Sequence, residues 1–177
     1  MKIIQWVLAV VGALALLVVA VGFFLPSSFE VKRAIDIQAP PAKVYDMVAD
    51  PRVWSKWSVW TRRDPKMDIA YGGPPFGQGA RWSWKSKSEG TGSMEFVRVE
   101  PNKRIEYTLS FPDFGMKSAG TFTFEDHDGG TRVTWTNGGD VGGNPLKHYL
   151  AVMMDRMVGP DFEGGLANLK AVAESSK

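Results

Sequence analysis

Cysteine is absent from all 177 residues. That excludes disulfides, thiol nucleophiles and thiolate metal sites, and it leaves the compartment open, because cysteine-free proteins also occur in oxidising spaces. Histidine is scarce: His127 lies in the turn EDHDGG and His148 near the start of a helical pattern. Neither has a partner in sequence that would make it a catalytic base. A long basic run is also missing. The 21 lysines and arginines and the 19 acidic residues are mixed along the chain, for a net charge of +2, so no nucleic-acid partner is expected. The stretch GGPPFGQG at 72–79 lacks the lysine and the strand-to-helix transition of a phosphate loop, and EDHDGG lacks the downstream oxygen ligands of a calcium loop. No metal and no cofactor are expected, and no Ser/His/Asp set or other catalytic residue can be named from spacing.

What the chain has instead is apolar surface in two distinct forms. The first is a run from residue 3 to residue 25, IIQWVLAVVGALALLVVAVGFFL, whose one polar side chain is Gln5. As a helix it would be about 34 Å long, enough to cross a bilayer. A cleaved secretory signal is the rival, but the run exceeds the h-region of about 7 to 15 residues. The expectation is therefore an uncleaved single-pass anchor over 1–28, closed by Pro26, Ser27 and Ser28, with the membrane as partner through residues 3–25. Lysines flank both ends, so orientation has no clear charge signal; an extracytoplasmic (periplasmic) domain is the working assignment.

The second form is periodic. From Phe29 to Gln38 apolar residues alternate, with Arg33 as an interruption, as in a half-buried strand; Ala39-Pro40-Pro41 stops it, and Val44, Tyr45, Val48 and Ala49 then recur at helical spacing. Six further strand-like runs follow, at 66–72, 79–87, 91–100, 103–111, 117–126 and 130–138, which predict an antiparallel meander. Trp82 and Trp84, Tyr107, Leu109 and Phe111, Phe122 and Phe124, and Val133 and Trp135 occupy alternate positions, so they share one face. The only cover in view is a helix over 145–173, with Leu146, Leu150, Met153 and Met157 as its first apolar stripe and Phe162, Leu166, Leu169 and Ala173 as its second. Gly159-Pro160 predicts a kink, or a break and restart.

Between the first helix and the meander lies VWSKWSVWTRR, 53–63. A spacing of three stacks side chains on one side of a 3₁₀-like turn, so Trp54, Trp57 and Trp60 present one aromatic edge. The preferred reading is that these indoles plug the open end of the curved sheet. The alternative sets Trp54, Trp57, Trp60, Arg62 and Arg63 in the lipid headgroup region.

The order of elements, with IDIQAPPAKVYDMVADPRVWSKWS at 35–58, GTRVTWT at 130–136 and MVGPDFEGGLANLKAVAE at 157–174, resembles the START-like helix-grip superfamily (SRPBCC), in particular its polyketide cyclase/dehydratase and lipid-transport branch and a membrane-anchored bacterial subgroup. The resemblance implies an α+β helix-grip fold over 29–177: a curved antiparallel sheet of about seven strands around a long carboxy-terminal helix, preceded by a transmembrane helix. It also implies a cavity between sheet and helix for an apolar small molecule or lipid. Trp82, Trp84, Tyr107, Leu109, Phe111, Phe122, Phe124, Trp135, Leu150, Met153 and Met157 would be its ligand-binding walls; a solid core with methionine as filler is the competing interior. The expected function is non-catalytic binding, with a polyketide cyclase-, dehydratase- or hydrolase-like enzyme and a protein-interaction module as alternatives, since fold does not fix activity.

Overall fold

A computed structural model describes residues 2–175. Helix α1 (Lys2–Gly22) is followed by strand β1 (Ser28–Ile37), α2 (Pro41–Ala49), a 3₁₀ turn (Pro51–Lys56), a short α3 (Val59–Arg63), β2 (Asp68–Gly72), β3 (Arg81–Ser86), β4 (Gly90–Glu100), β5 (Arg104–Phe111), β6 (Met116–His127), β7 (Gly130–Asp140) and α4 (Pro145–Ser175). The seven strands form one antiparallel sheet in the order β1-β7-β6-β5-β4-β3-β2. The meander is as the alternation predicts, and β1 closes its far side against β7. The hairpin EDHDGG turns on Asp128 and Gly129, both with positive φ, the geometry that two-residue loops between twisted strands require.

Period-two burial holds along the sheet. Ile105, Tyr107, Phe122, Phe124, Val133 and Trp135 are buried on one face, and the register sets Phe122 between Ile105 and Trp135 on neighbouring strands. A shift in register between Phe96 and Arg98 leaves Val97 without an opposite residue, a bulge that sharpens the local twist of the sheet.

The cover differs from the sequence expectation in two respects. It has two parts: α4 lies along β1, while the tryptophan turn fills the concave face over the middle strands. Trp54 has ring neighbours on β3, β4, β6 and β7, namely Trp82 at 4.9 Å, Phe96 at 6.3 Å, Phe122 at 5.8 Å and Trp135 at 6.1 Å. Helix α4 is also rotated from the expected setting. Its buried residues in the first half are His148, Ala151 and Met154, whereas Met153 and Met157 are 52% and 54% exposed and Leu146 points outward. That half carries apolar residues on two sides, and periodicity could not choose between them. In the second half Phe162, Leu166, Leu169 and Ala173 are buried as read.

No break occurs at Pro160; α4 runs on through it. An ionic clamp spans this stretch across the helix–sheet contact. Arg33, on the covered face of β1, ion-pairs with Asp155 at 2.7 Å and Glu163 at 2.6 Å, one on either side of the proline. A side chain at Gly159 would stand 2.0 Å from the Arg33 guanidinium, so this glycine opens the place where the clamp sits. Both carboxylates hold the guanidinium pKa above its already high ordinary value, so Arg33 stays charged.

The carboxy-terminal end of α1 docks on the start of α4. The ring nitrogens of His148 lie 2.8 Å from the Gly22 carbonyl oxygen and 3.0 Å from that of Gly142, and the Tyr149 hydroxyl donates to the Val18 carbonyl at 2.8 Å. The remainder of α1 projects from the domain.

Candidate functional site

The tryptophan turn is built from local signals. Asp50 accepts a hydrogen bond from the Arg52 amide at 2.8 Å and Pro51 opens the 3₁₀ turn, where a fixed φ and a missing N–H cost nothing. Burying an indole requires a partner for its N–H. Trp54 donates to the Val48 carbonyl at 2.8 Å, Trp57 to Met47 at 3.1 Å and Trp60 to the Asp161 carboxylate at 3.0 Å. Trp54 and Trp57 are thereby held inside the domain, and neither presents a ring at its outer surface to a membrane interface; the membrane-interface assignment of these two is corrected by their burial. Trp60 is half-buried against Trp135 and Phe162. Arg62 donates to the Asn168 side chain at 2.7 Å and to the Lys56 carbonyl at 3.1 Å, and Arg63 pairs with Glu89 at 3.3 Å and with Asp161, so both arginines bind protein groups.

Within the aromatic filling lies an apolar slot, of about 120 Å³, between this turn and strands β2 to β5. Trp54, Trp60, Trp82 and Trp84 contribute indole walls, Met67, Ile69, Met94, Leu109 and Phe111 aliphatic and phenyl surface, and Tyr71, Ser58, Thr61 and Glu89 the polar groups. Trp84 can lie flat along β4 because residue 92 opposite it is glycine; a Cβ there would come within 2.2 Å of the indole. Phe111 closes edge-on to Trp84 at 5.7 Å. Tyr71 is 40% exposed at the rim, and the Arg52 guanidinium lies 5.0 Å above its ring. A larger concavity of about 660 Å³ lies on the opposite, outward face of the sheet, among Arg81, Ser83, Ser93, Glu95, Ser110 and Lys117. Its lining mixes these polar side chains with apolar surface from Tyr71, Trp82, Met94 and Leu109.

Of the expected walls, Trp82, Trp84, Leu109 and Phe111 meet in the slot. Tyr107, Phe122, Phe124 and Trp135 belong to the filled core. There Trp135 Nε1 donates to the Tyr107 hydroxyl at 2.9 Å, which donates to the Thr136 carbonyl at 3.0 Å, and burial pushes the Tyr107 phenol well above its ordinary pKa. Leu150 is half-buried on α4 away from the slot, and Met153 and Met157 face outward; the assignment of these three as walls is corrected by the rotation of α4. Tyr71, Ile69 and Met67 were missed, although their alternation in KMDIAYG was legible. Glu89 was missed because nothing in SKSEGTG distinguishes it from a surface turn residue.

Comparison with known proteins bears on the family and the fold. Residues 28–174 match the family described as polyketide cyclase / dehydrase and lipid transport. An uncharacterized protein of Mycobacterium tuberculosis is 25% identical over 124 residues, which cover 67% of this chain and 70% of that protein. Among solved structures, a Staphylococcus aureus protein of unknown function superposes with a TM-score of 0.64 at 13% identity, covering 84% of this chain and 95% of that one. A Chromobacterium violaceum protein superposes with a TM-score of 0.58 at 19% identity, covering 83% and 98%. At these identities the two structures establish the helix-grip fold alone.

Proposed function

The chain belongs to the polyketide cyclase / dehydrase and lipid transport family, and on that premise we propose that it is a membrane-tethered binding domain for a small apolar molecule or one end of a lipid. Residues 1–28 are the anchor and 29–177 the binding domain, held on the extracytoplasmic side. Support for the tether is a 21-residue helix with an 18-residue window of mean hydropathy 2.6, no residue of that window being buried in the protein, a composition that also suits a signal sequence. The observation that carries the binding role is the slot walled by Trp54, Trp82, Trp84, Met94, Leu109 and Phe111. Its size sets the ligand scale. Drug-sized ligands occupy pockets of about 300–1,000 Å³, and an engineered apolar cavity of about 150 Å³ holds benzene. A slot of about 120 Å³ accommodates a ring or a short branched group, while anything larger extends past Tyr71.

Native mass spectrometry of the full chain released from detergent micelles tests this. A co-purifying small molecule, or saturable uptake of an apolar dye that quenches tryptophan fluorescence, is the expected result; a chain that is always empty and takes up no dye would refute it.

One observation favours a second, enzymatic reading: the Glu89 carboxylate is on the wall of the slot and its side chain is only 10% exposed, a setting in which a carboxyl group can act on a bound substrate. Turnover of a polyketide-like substrate that Glu89→Gln abolishes while binding persists would establish it; the absence of turnover across such substrates leaves the binding role.

A further inference from the structure

Resting on the reading of the slot as a ligand site, we propose that it is a receptor for a small substituted ammonium group, carried by a free organic cation or by a choline-type headgroup. Four indoles, one phenol and one phenyl ring (Trp54, Trp60, Trp82, Trp84, Tyr71 and Phe111) surround a space of about 120 Å³. The faces of such rings carry negative charge density, and a cation with a greasy, weakly hydrated surface gains from them what a neutral group of equal shape does not.

The second argument is charge. Glu89 lines this space with its side chain nine-tenths buried, and a desolvated carboxylate there favours a cation and repels an anionic ligand. Its own counter-ion is shared. Arg63 makes a 3.3 Å contact to Glu89 and a closer one to Asp161, whose other oxygen accepts from Trp60. Beside them the Asp64 carboxylate accepts from the Ser86 hydroxyl at 2.6 Å, and that hydroxyl accepts from the Glu89 amide at 3.0 Å. Two carboxylates, Glu89 and Asp161, thus share one guanidinium at this end of the slot, because Arg62 is directed to Asn168 and the Lys56 carbonyl. Arg52, the cation at the rim, pairs with Asp50 at 3.9 Å and already lies over the face of Tyr71, so this wall accepts a cation on its outer side. A fatty chain or sterol would need more volume and would have no use for Glu89.

The test uses the full chain in maltoside micelles, which carry no ammonium groups, and follows tryptophan fluorescence and calorimetric titration with choline and with its neutral carbon isostere, dimethylbutanol. Choline should bind about tenfold or more tightly than the isostere, the scale expected of a desolvated cation–π and carboxylate site. Glu89→Gln should remove that preference while leaving binding of the isostere in place. Trp84→Leu, which keeps an apolar wall but removes a π face, gives an independent arm should Glu89→Gln fail to fold: it should weaken choline by more than it weakens the isostere and so reduce the preference. A short-chain phosphatidylcholine that competes with choline identifies the headgroup as the source, and one that does not identifies the free cation; either supports the receptor. Equal affinity of choline and its isostere in the wild-type chain would overturn the inference, as would a preference that survives both substitutions. A slot that takes up neither compound and no apolar dye would instead overturn the ligand-site reading on which it rests.

Discussion

The rings of Trp135 on β7 and Phe162 on α4 stack face to face, with centroids 3.9 Å apart and planes 9° from parallel. Trp60 meets both edge-on, at 5.8 Å and 6.4 Å. Sheet, terminal helix and tryptophan turn therefore share one point of contact, and the slot is defined by how that contact holds the turn over the sheet.

Truncating this contact should be costly. Phe162→Ala removes a buried ring and leaves a void that the surrounding indoles cannot fill, so a loss of about 3–5 kcal/mol is expected in urea denaturation. A change below about 1 kcal/mol would show that Trp135 repacks without it.

The relay from Trp135 through the Tyr107 hydroxyl to the Thr136 carbonyl is sealed from water. Tyr107→Phe leaves the Trp135 indole N–H without its acceptor, at a cost of about 1–3 kcal/mol with little change in shape. Chemical denaturation compared with wild type measures it, and near-UV circular dichroism should report the altered surroundings of Trp135.

Gly92→Ala links packing to the site. The new methyl group would overlap the Trp84 indole, which must swing aside at a cost of about 1–3 kcal/mol. Because Trp84 is a wall of the slot, uptake of an apolar dye should fall along with stability. Full dye uptake in a destabilised variant would place the ligand elsewhere.

Acid should destabilise the domain through its paired carboxylates. Asp36 accepts two 2.8 Å hydrogen bonds from the Arg132 guanidinium, which holds its pKa below the ordinary carboxylate value; Arg33 does the same for Asp155, the Ser27 hydroxyl for Asp140 and the Gln38 amide for Glu174. A depressed native pKa means that the unfolded chain binds protons first. The stabilisation is thus complete above the unfolded values of about 4 and is lost as pH falls through the native ones. Urea midpoints should be flat from neutral pH to about 5 and decline below about 4. In Asp36→Asn the decline should be shallower; an unchanged slope would mean that this exposed pair contributes nothing.

Much of the fold was legible because its signals are local. Alternation in TRVTWT and FTFED, proline at the start of α2 and the run from residue 3 to 25 each reflect what a few neighbouring residues can bury, and a strand or helix needs no more than that. The spacing of Trp54 and Trp57 likewise marked a 3₁₀ turn. The setting of α4 was not legible: Leu146, Leu150, Met153 and Met157 form as good a stripe as the one that is buried. The buried stripe is the one that sets Asp155, Glu163 and the opening at Gly159 against Arg33, more than a hundred residues away in sequence.

The same distinction separates the slot from its residues. The sequence alone determined that large rings would share one face of a seven-stranded sheet beneath a long helix, because side-chain direction follows from backbone period. Only the tertiary structure decided that most of those rings fill one another's space and that the remaining gap lies beside Glu89. Packing density and charge pairing depend on side chains that are distant in the chain and become neighbours only once the sheet has curved around them.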